Sequence, residues 1–197
     1  ENYLTSTIPA CLGDLVGSTF LRLEVNRLVG SIPESLCNLI NLQAMRLDNN
    51  LLTGSIPSCF ANFTVMLELY MNHNQFTGPF PLAVWSMSYL EYLYLNHNRL
   101  TGTLPAFTGA PPMLIHMNLS MNEFHGTIPS TVDLLPWLVV LCLSSCHLTG
   151  TLPATIGYMP LSTLQLSHNM LTGSVPGTFV QLNSLVILSL QGNQLTG

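Results

Sequence analysis

The sequence predicts an α/β repeat solenoid with a parallel β-sheet along one face, and three observations support this fold class. An asparagine, replaced once by cysteine, recurs every 24 residues with a single step of 23, apolar and variable residues alternate just before it, and a glycine and a proline follow it at fixed distances. A fixed period of this length indicates units that bury their apolar side only by stacking on their neighbours. We therefore expect residues 1–197 to form a single array.

The asparagine that marks each unit is expected to point into the array. Its amide can donate and accept, so it can satisfy backbone groups of its own turn and of the next coil, forming a ladder along the solenoid. One unit has a cysteine there, which is expected to act as a smaller and weaker donor. The marker positions are Asn2, Asn26, Asn50, Asn74, Asn98, Asn122, Cys146, Asn169 and Asn193.

A short β-strand is expected before each marker. Before Asn98, the apolar Leu93 and Leu95 alternate with Tyr92 and Tyr94, and the other units repeat this alternation. Alternation over a short run is typical of a strand with one buried face. Stacked units therefore predict a parallel sheet with the variable side chains on its outer surface.

A turn is expected after each marker, because glycine and proline recur there, as Gly102 and Pro105 do after Asn98. Glycine tolerates positive φ, and proline fixes φ and lacks a donor, so together they turn each coil in the same way.

Two coils depart from this pattern. Pro79 is expected to remove one backbone donor from a possible second sheet. The coil at residues 108–112 has threonine and prolines where other coils have apolar pairs, so we expect it to bulge.

Three cysteines lie on successive turns of the N-terminal coils. Either a Cys37–Cys59 or a Cys11–Cys37 bridge between neighbouring coils is compatible with their spacing in an oxidising compartment. The spacing alone leaves both pairings open.

The repeat register is L-x-x-L-x-L-x-x-N-x-L-T-G-x-I-P, as in LQAMRLDNNLLTGSIP (residues 42–57) and LSTLQLSHNMLTGSVP (residues 161–176). It resembles the plant-type extracellular leucine-rich-repeat family over essentially the whole chain. The resemblance implies a horseshoe or superhelix with a concave parallel β-sheet, short strands of a second sheet near the Thr-Gly segment, and short 3-10 turns on the convex side. Such arrays serve mostly as ectodomains of surface receptors and receptor-like proteins, and as secreted enzyme inhibitors, while similar repeats occur in surface glycoproteins.

The composition argues against nucleic acid as a partner. Charged residues make up 7% of the chain, the net charge is −5, and the basic residues are Arg22, Arg27, Arg46 and Arg99. Without a basic cluster, the counterion release that drives nucleic-acid binding is missing.

No apolar run approaches the roughly 20 residues that a membrane-spanning helix needs. Because the chain starts and stops within a unit, uncapped at both ends, we expect it to be a segment of a longer protein that follows the secretory pathway to the cell surface or the extracellular space.

The candidate ligand-binding residues lie on the outer surface of the predicted sheet, in its N-terminal half. Arginine and tyrosine are enriched at binding hot spots, and the small neutral residues of the C-terminal half offer little area. Two interpretations of Arg22 and Arg46 stay open, since Glu24 and Asp48 lie beside them: a self-neutralising charge lattice or a site for carboxylates and sulfates. The predicted site residues are Arg22, Arg46, Tyr70, Tyr92, Tyr94 and His97.

No cofactor, metal site or catalytic centre is expected. His73 and His97 share a phase on adjacent coils, but no third ligand has matching spacing. No histidine shares the outward column of Cys142, and neither a triad nor a phosphate-binding loop is present in the sequence, so we expect no enzyme activity.

Asn62 and Asn118 begin glycosylation sequons, on the convex turn and on the concave strand respectively, and a glycan is better tolerated on the convex turn.

These observations favour an extracellular recognition module whose concave face binds a peptide, a protein or a glycan. The alternative is a structural glycoprotein that assembles with copies of itself into a filament, sheath or wall. The arginine and tyrosine side chains in the N-terminal half of the sheet favour ligand binding. The low charge and the regular repeats of the chain favour assembly.

Overall fold

A computed structural model of the chain describes residues 2–108 and 113–197, and it is a solenoid with two parallel sheets. The bulge expected at residues 108–112 therefore lies almost entirely outside the described residues. In the coils whose convex side is fully described, a short strand enters the first sheet, a second short strand enters the other sheet, and a 3-10 helix closes the convex side. The predicted repeat solenoid is confirmed.

The concave sheet contains the strands that precede the markers, in chain order and in parallel. Its strands are β1 (Phe20–Arg22), β3 (Ala44–Arg46), β5 (Glu68–Tyr70), β7 (Tyr92–Tyr94), β9 (His116–Asn118), β11 (Val140–Cys142), β13 (Thr163–Gln165) and β15 (Ile187–Ser189). The central residue of each strand points inward; Leu69, Leu93 and Met117, for example, are fully buried. The two flanking residues point outward, so the sheet presents a continuous surface of variable side chains.

The flank sheet follows the markers and is also parallel. Its strands are β2 (Val29–Gly30), β4 (Leu51–Ser55), β6 (Gln75–Gly78), β8 (Arg99–Thr103), β10 (Glu123–Thr127), β12 (His147–Thr151), β14 (Met170–Ser174) and β16 (Gln194–Thr196). β6 ends at Gly78, because Pro79 has no backbone donor to continue the ladder. The effect expected of Pro79 is thus confirmed.

The helices of the convex side are all of the 3-10 type in the described residues. They are η1 (Ala10–Asp14), η2 (Glu34–Asn38), η3 (Ser58–Asn62), η4 (Leu82–Ser86), η5 (Ser130–Leu134), η6 (Ala154–Tyr158) and η7 (Gly177–Gln181). A proline of the repeat stands directly before each of them, for example Pro57 with φ −62° before η3. Since proline fixes φ near this value, each helix starts at the same place in its coil.

The marker asparagines form the predicted ladder. Asn98 Nδ2 donates to Leu95 O of its own turn and to Met71 O of the coil before, both at 3.0 Å, while its Oδ1 accepts from Phe76 N–H at 3.0 Å. The coil that the amide joins is therefore the preceding one, not the next one, because the side chain leans back along the stack. Cys146 makes only long sulfur contacts, 3.7 Å to Leu119 O.

Cys37 and Cys59 form a disulfide between neighbouring convex helices, which decides between the two pairings left open above. Elsewhere the same inter-helix contact is made without covalent bonding. A Cβ on Gly13 would clash with the Ser35 backbone, so glycine permits the close stacking there. Cys11 is left as an exposed free thiol.

Candidate ligand-binding face

Four neighbouring strands of the concave sheet bring their outward side chains into one continuous stack, which we call the aromatic stack: Arg46, Tyr70, Tyr94 and His116. The Arg46 Cζ lies 4.5 Å from the centroid of the Tyr70 ring. The Tyr70 and Tyr94 rings are parallel, with centroids 4.7 Å apart. The Tyr94 hydroxyl hydrogen-bonds to Nδ1 of His116 over 3.1 Å. Register explains the first three members, since Arg46 pairs with Tyr70 and Tyr70 with Tyr94. His116 is the cross-strand partner of Tyr92 and reaches Tyr94 diagonally.

Arg46 is neutralised across the sheet rather than along its own strand. Its Nη2 lies 2.6 Å from Oε2 of Glu68, the first residue of β5. The carboxylate that pairs with Arg46 is thus not Asp48, which the sequence places beside it, but Glu68, its diagonal neighbour on the next strand. Of the two interpretations left open, the neutralised one applies to Arg46.

The structure brings together most of the predicted site residues and adds two. Tyr92 joins the edge of the stack, with its ring centroid 5.1 Å from that of His116. His97 lies after the strand end, stacked on His73 at 4.0 Å, and Arg22 is exposed at the sheet edge outside the stack. Sequence reasoning missed Glu68 and His116. Their signal was available, because the outward column six residues before each marker contains both, together with Tyr92.

Burial makes the stack a neutral, hydrogen-bonding surface at physiological pH. It is the main reason why the pKa values of the Tyr70 and Tyr94 hydroxyls are raised. Burial also lowers the pKa of His116. The pKa of His97 is lowered mainly by burial and to a smaller extent by the nearby His73. The hydrogen bond and charge of Glu68 raise the pKa of Arg46. The tyrosines therefore keep their protons and the two imidazoles are uncharged at pH 7.

Beside the stack lie two amides with unused hydrogen-bonding capacity. The Oδ1 atoms of Asn72 and Asn96 are buried and have no partner among the described residues. An unpaired buried acceptor costs about 1–3 kcal/mol of stability. Departures of this kind from local rules are most common at functional sites.

The C-terminal half of the concave sheet has a different character. Ser167 Oγ donates to Ser144 Oγ over 3.0 Å, and these small hydroxyls are half-buried or buried. Cys142 was assigned to the outward column by phase, yet it is buried, and burial raises the pKa of its thiol to about 11. A thiol in this environment is the opposite of an activated nucleophile.

The flank sheet carries two outward rows, composed mostly of threonine and serine, on either side of the repeat glycines, and we call them the threonine rows. The first row includes Thr53, Thr77, Thr101, His125, Thr149 and Thr172, and the second includes Ser55, Pro79, Thr103, Thr127, Thr151 and Ser174. Cross-strand pairs join the rows, as in Thr127 with Thr149 and Thr151 with Thr172. Cγ2 of Thr127 lies 2.8 Å from the place that a Cβ on Gly150 would occupy, and Thr103 and Thr151 meet the next glycines in the same way. One rotamer thus repeats from coil to coil.

The two sequons differ in their surroundings. Asn62 is exposed at the end of η3, whereas Asn118 is half-buried on β9, where its Oδ1 accepts from Ser120 N–H at 3.1 Å. In the part of the chain that the structure describes, no three His, Cys, Asp or Glu residues are grouped so that they could hold a metal ion. No helix there is both long and apolar enough to cross a membrane.

Comparison with known proteins places these features in context. A family model described as leucine rich repeat matches residues 40–100 and 156–195, just over half of the chain, and a second with the same description matches residues 19–39 and 137–159. No curated protein sequence matches the chain.

The similar solved structures include two plant receptor ectodomains and a plant ice-binding protein. The ectodomain of the Arabidopsis receptor kinase HAESA, solved with the peptide hormone IDA and the co-receptor SERK1, is 30% identical with a TM-score of 0.92, over 100% of this chain and 33% of that one. The ectodomain of Arabidopsis GASSHO1/SCHENGEN3, in complex with CASPARIAN STRIP INTEGRITY FACTOR 2, is 30% identical with a TM-score of 0.85, over 100% and 29%. A plant ice-binding protein is 26% identical with a TM-score of 0.80, over 100% and 72%. The chain thus spans about a third of the receptor chains.

Proposed function

This chain belongs to the leucine-rich-repeat family, and we propose that it is the ligand-recognition module of a plant-type, extracellular protein of that family. In this proposal it binds a peptide on the aromatic stack of its concave face and catalyses no reaction. Peptide-binding receptor ectodomains among its structural neighbours support the proposal, as does the disulfide, which suits an oxidising compartment.

The aromatic stack is the observation that carries the proposal. Tyr70 and Tyr94 are rigid, only half-buried and pre-ordered by their neighbours, so they lose little conformational entropy when a ligand docks. The unpaired amides of Asn72 and Asn96 beside them suit a surface shaped for recognition rather than for stability alone.

The geometry of the stack favours a peptide over a glycan. Sugars use open aromatic faces, but Arg46 and Tyr94 cover the two faces of Tyr70, and His116 tilts over the outer side of Tyr94. What remains available is ring edges and hydroxyl groups. Such groups donate hydrogen bonds to backbone carbonyls and pack on small apolar side chains, as peptide ligands require.

We expect a variant combining Tyr94→Ala and Arg46→Ala to lose peptide binding while staying folded. Peptides would be selected from a phage-displayed random library on the immobilised wild-type chain, and their affinities measured by interferometry. The double variant should bind at least tenfold more weakly, with a nearly unchanged melting temperature, because both side chains point away from the core and the half-buried ion pair with Glu68 adds little stability.

A variant combining Ser144→Ala and Ser167→Ala serves as the control on the same sheet. It should bind the selected peptides like the wild type. If the serine variant loses binding and the stack variant does not, the site lies in the C-terminal half and the proposal is wrong.

A second candidate function is ice binding, supported by the threonine rows and by the ice-binding structural neighbour. Neighbouring strands lie about 4.8 Å apart, and alternate residues of a strand about 6.7 Å apart. Both spacings are near repeat distances of oxygen atoms on ice surfaces. Fixed methyl and hydroxyl groups at such spacings suit contact with ordered water.

For this candidate, the wild-type chain should slow ice recrystallisation at micromolar concentration. Thr127→Lys and Thr151→Lys should each raise the concentration needed at least tenfold, because a long charged side chain lifts the sheet from the ice. Gln191→Lys, which adds the same charge to an exposed position of the concave side, should have no effect. A wild-type chain without any effect on ice crystals excludes the candidate.

A further inference from the structure

Three consecutive coils near the middle of the array carry a side chain with a metal-binding atom in the position directly before the marker asparagine. We call these residues, His73, His97 and Met121, the His-Met column. Their φ angles are 53°, 55° and 55°, so all three share one left-handed backbone conformation. Because the coils also stack in register, the three side chains leave the backbone in the same direction.

Hydrogen bonds between the coils fix the spacing of the His-Met column. Asn74 N–H donates to His97 O, and Asn98 N–H donates to Met121 O, each at 3.1 Å. Successive members of the column therefore lie about 4.8 Å apart, which is one strand spacing. The rings of His73 and His97 stack with their centroids 4.0 Å apart. The two imidazoles thus lie close enough to share one ion.

The column is open to a metal ion from the solvent. His73 is exposed, His97 is half-buried, and Met121 is 47% exposed. Burial is the main cause of the lowered pKa of His97. Its imidazole is therefore neutral at pH 7, as a metal ligand must be.

The chemistry of the ligands selects the metal. The sequence has no third histidine at this spacing, but the next coil has a thioether in the same position. Calcium and magnesium take oxygen ligands, and zinc sites use histidine, cysteine and carboxylates. A thioether is a soft ligand that selects copper(I), and imidazole also suits copper. We propose that His73, His97 and Met121 bind a copper(I) ion through two imidazole nitrogens and the thioether sulfur.

Methionine suits the third place because its sulfur stands at the end of a flexible chain. Three rotatable bonds let the Met121 sulfur reach an ion held by the two histidines without a change in the backbone. The column follows the ends of β5 (Tyr70), β7 (Tyr94) and β9 (Asn118), so it lies outside the aromatic stack. The copper site is therefore independent of the peptide site proposed above.

Isothermal titration calorimetry with silver(I), a redox-stable substitute for copper(I), tests the proposal. The background is Cys11→Ser, which removes the exposed thiol as a competing ligand. This chain should bind silver(I) with micromolar affinity or tighter, and His73→Asn should weaken the binding at least tenfold. Asparagine keeps the backbone intact there, because Asn49 has a φ of 55° at the same position of the preceding coil.

His168→Asn is the matched control, because it makes the same change at the same backbone position of another coil. His168 also has a φ of 55°, but its neighbours in the column are Ser145 and Gly192, which offer neither an imidazole nor a thioether. This variant should bind silver(I) like the background chain. Equal losses in the two histidine variants would overturn the assignment to the His-Met column.

X-ray absorption at the copper edge, on the complex formed with copper and ascorbate, identifies the ligands. The background chain should show sulfur and nitrogen neighbours, whereas Met121→Leu should lose the sulfur neighbour and bind silver(I) at least tenfold more weakly. Weak zinc(II) binding should be the same in both chains, because zinc sites do not use thioethers. No silver(I) binding to the background chain, binding insensitive to Met121→Leu, or a copper complex without a sulfur neighbour overturns the proposal.

Discussion

Replacing Asn98 with leucine is expected to lower the free energy of unfolding by about 3 kcal/mol or more. The change removes the acceptor of the Phe76 N–H and the donor to Met71 O and Leu95 O, and the site is buried. Each buried group left unpaired costs about 1–3 kcal/mol. Urea denaturation followed by circular dichroism measures the loss.

Cys146→Asn is the matched opposite change, because it introduces an asparagine at the marker position of another coil. Phe124 N–H, which would donate to the amide oxygen of an asparagine at this position, has no side-chain acceptor among the described residues, and the Cys146 sulfur makes only long contacts. Completing the ladder should therefore raise stability by about 1 kcal/mol. Wild-type unfolding of Asn98→Leu would contradict the ladder as a source of stability.

Removing the inter-coil disulfide, with Cys37→Ala and Cys59→Ala together, is expected to cost about 3 kcal/mol, as for cross-links that close loops of similar length. The bridge joins residues 22 apart on adjacent helices, so without it the unfolded chain gains conformational freedom. The loss should appear as a lower urea midpoint and be absent in Cys11→Ala, because Cys11 is exposed and free.

Thiol counting checks the premise of this prediction. Denatured, unreduced protein should react with iodoacetamide at Cys11, Cys142 and Cys146. In the folded state only Cys11 should react at pH 8, because burial raises the pKa of Cys142 and Cys146 to about 11. Labelling of Cys37 or Cys59 without reductant would exclude the bridge.

The sequence by itself determined the architecture. The 24-residue period, the alternation before each marker and the positions of glycine and proline are local features, and a strand directs alternate side chains to opposite faces whatever its neighbours are. The solenoid, the inward asparagines and the interruption at Pro79 could therefore be predicted. So could the outward direction of Arg46, Tyr70 and Tyr94.

Only the tertiary structure decided which side chains touch across coils. Glu68 reaches Arg46 diagonally, His116 closes the aromatic stack, and Cys37 pairs with Cys59 rather than Cys11. Phase along the chain gives the column of a residue, but contacts between columns depend on strand register, on the lean of each side chain and on how closely the coils stack. For the same reason phase alone did not predict the burial of Cys142, which belongs to the outward column.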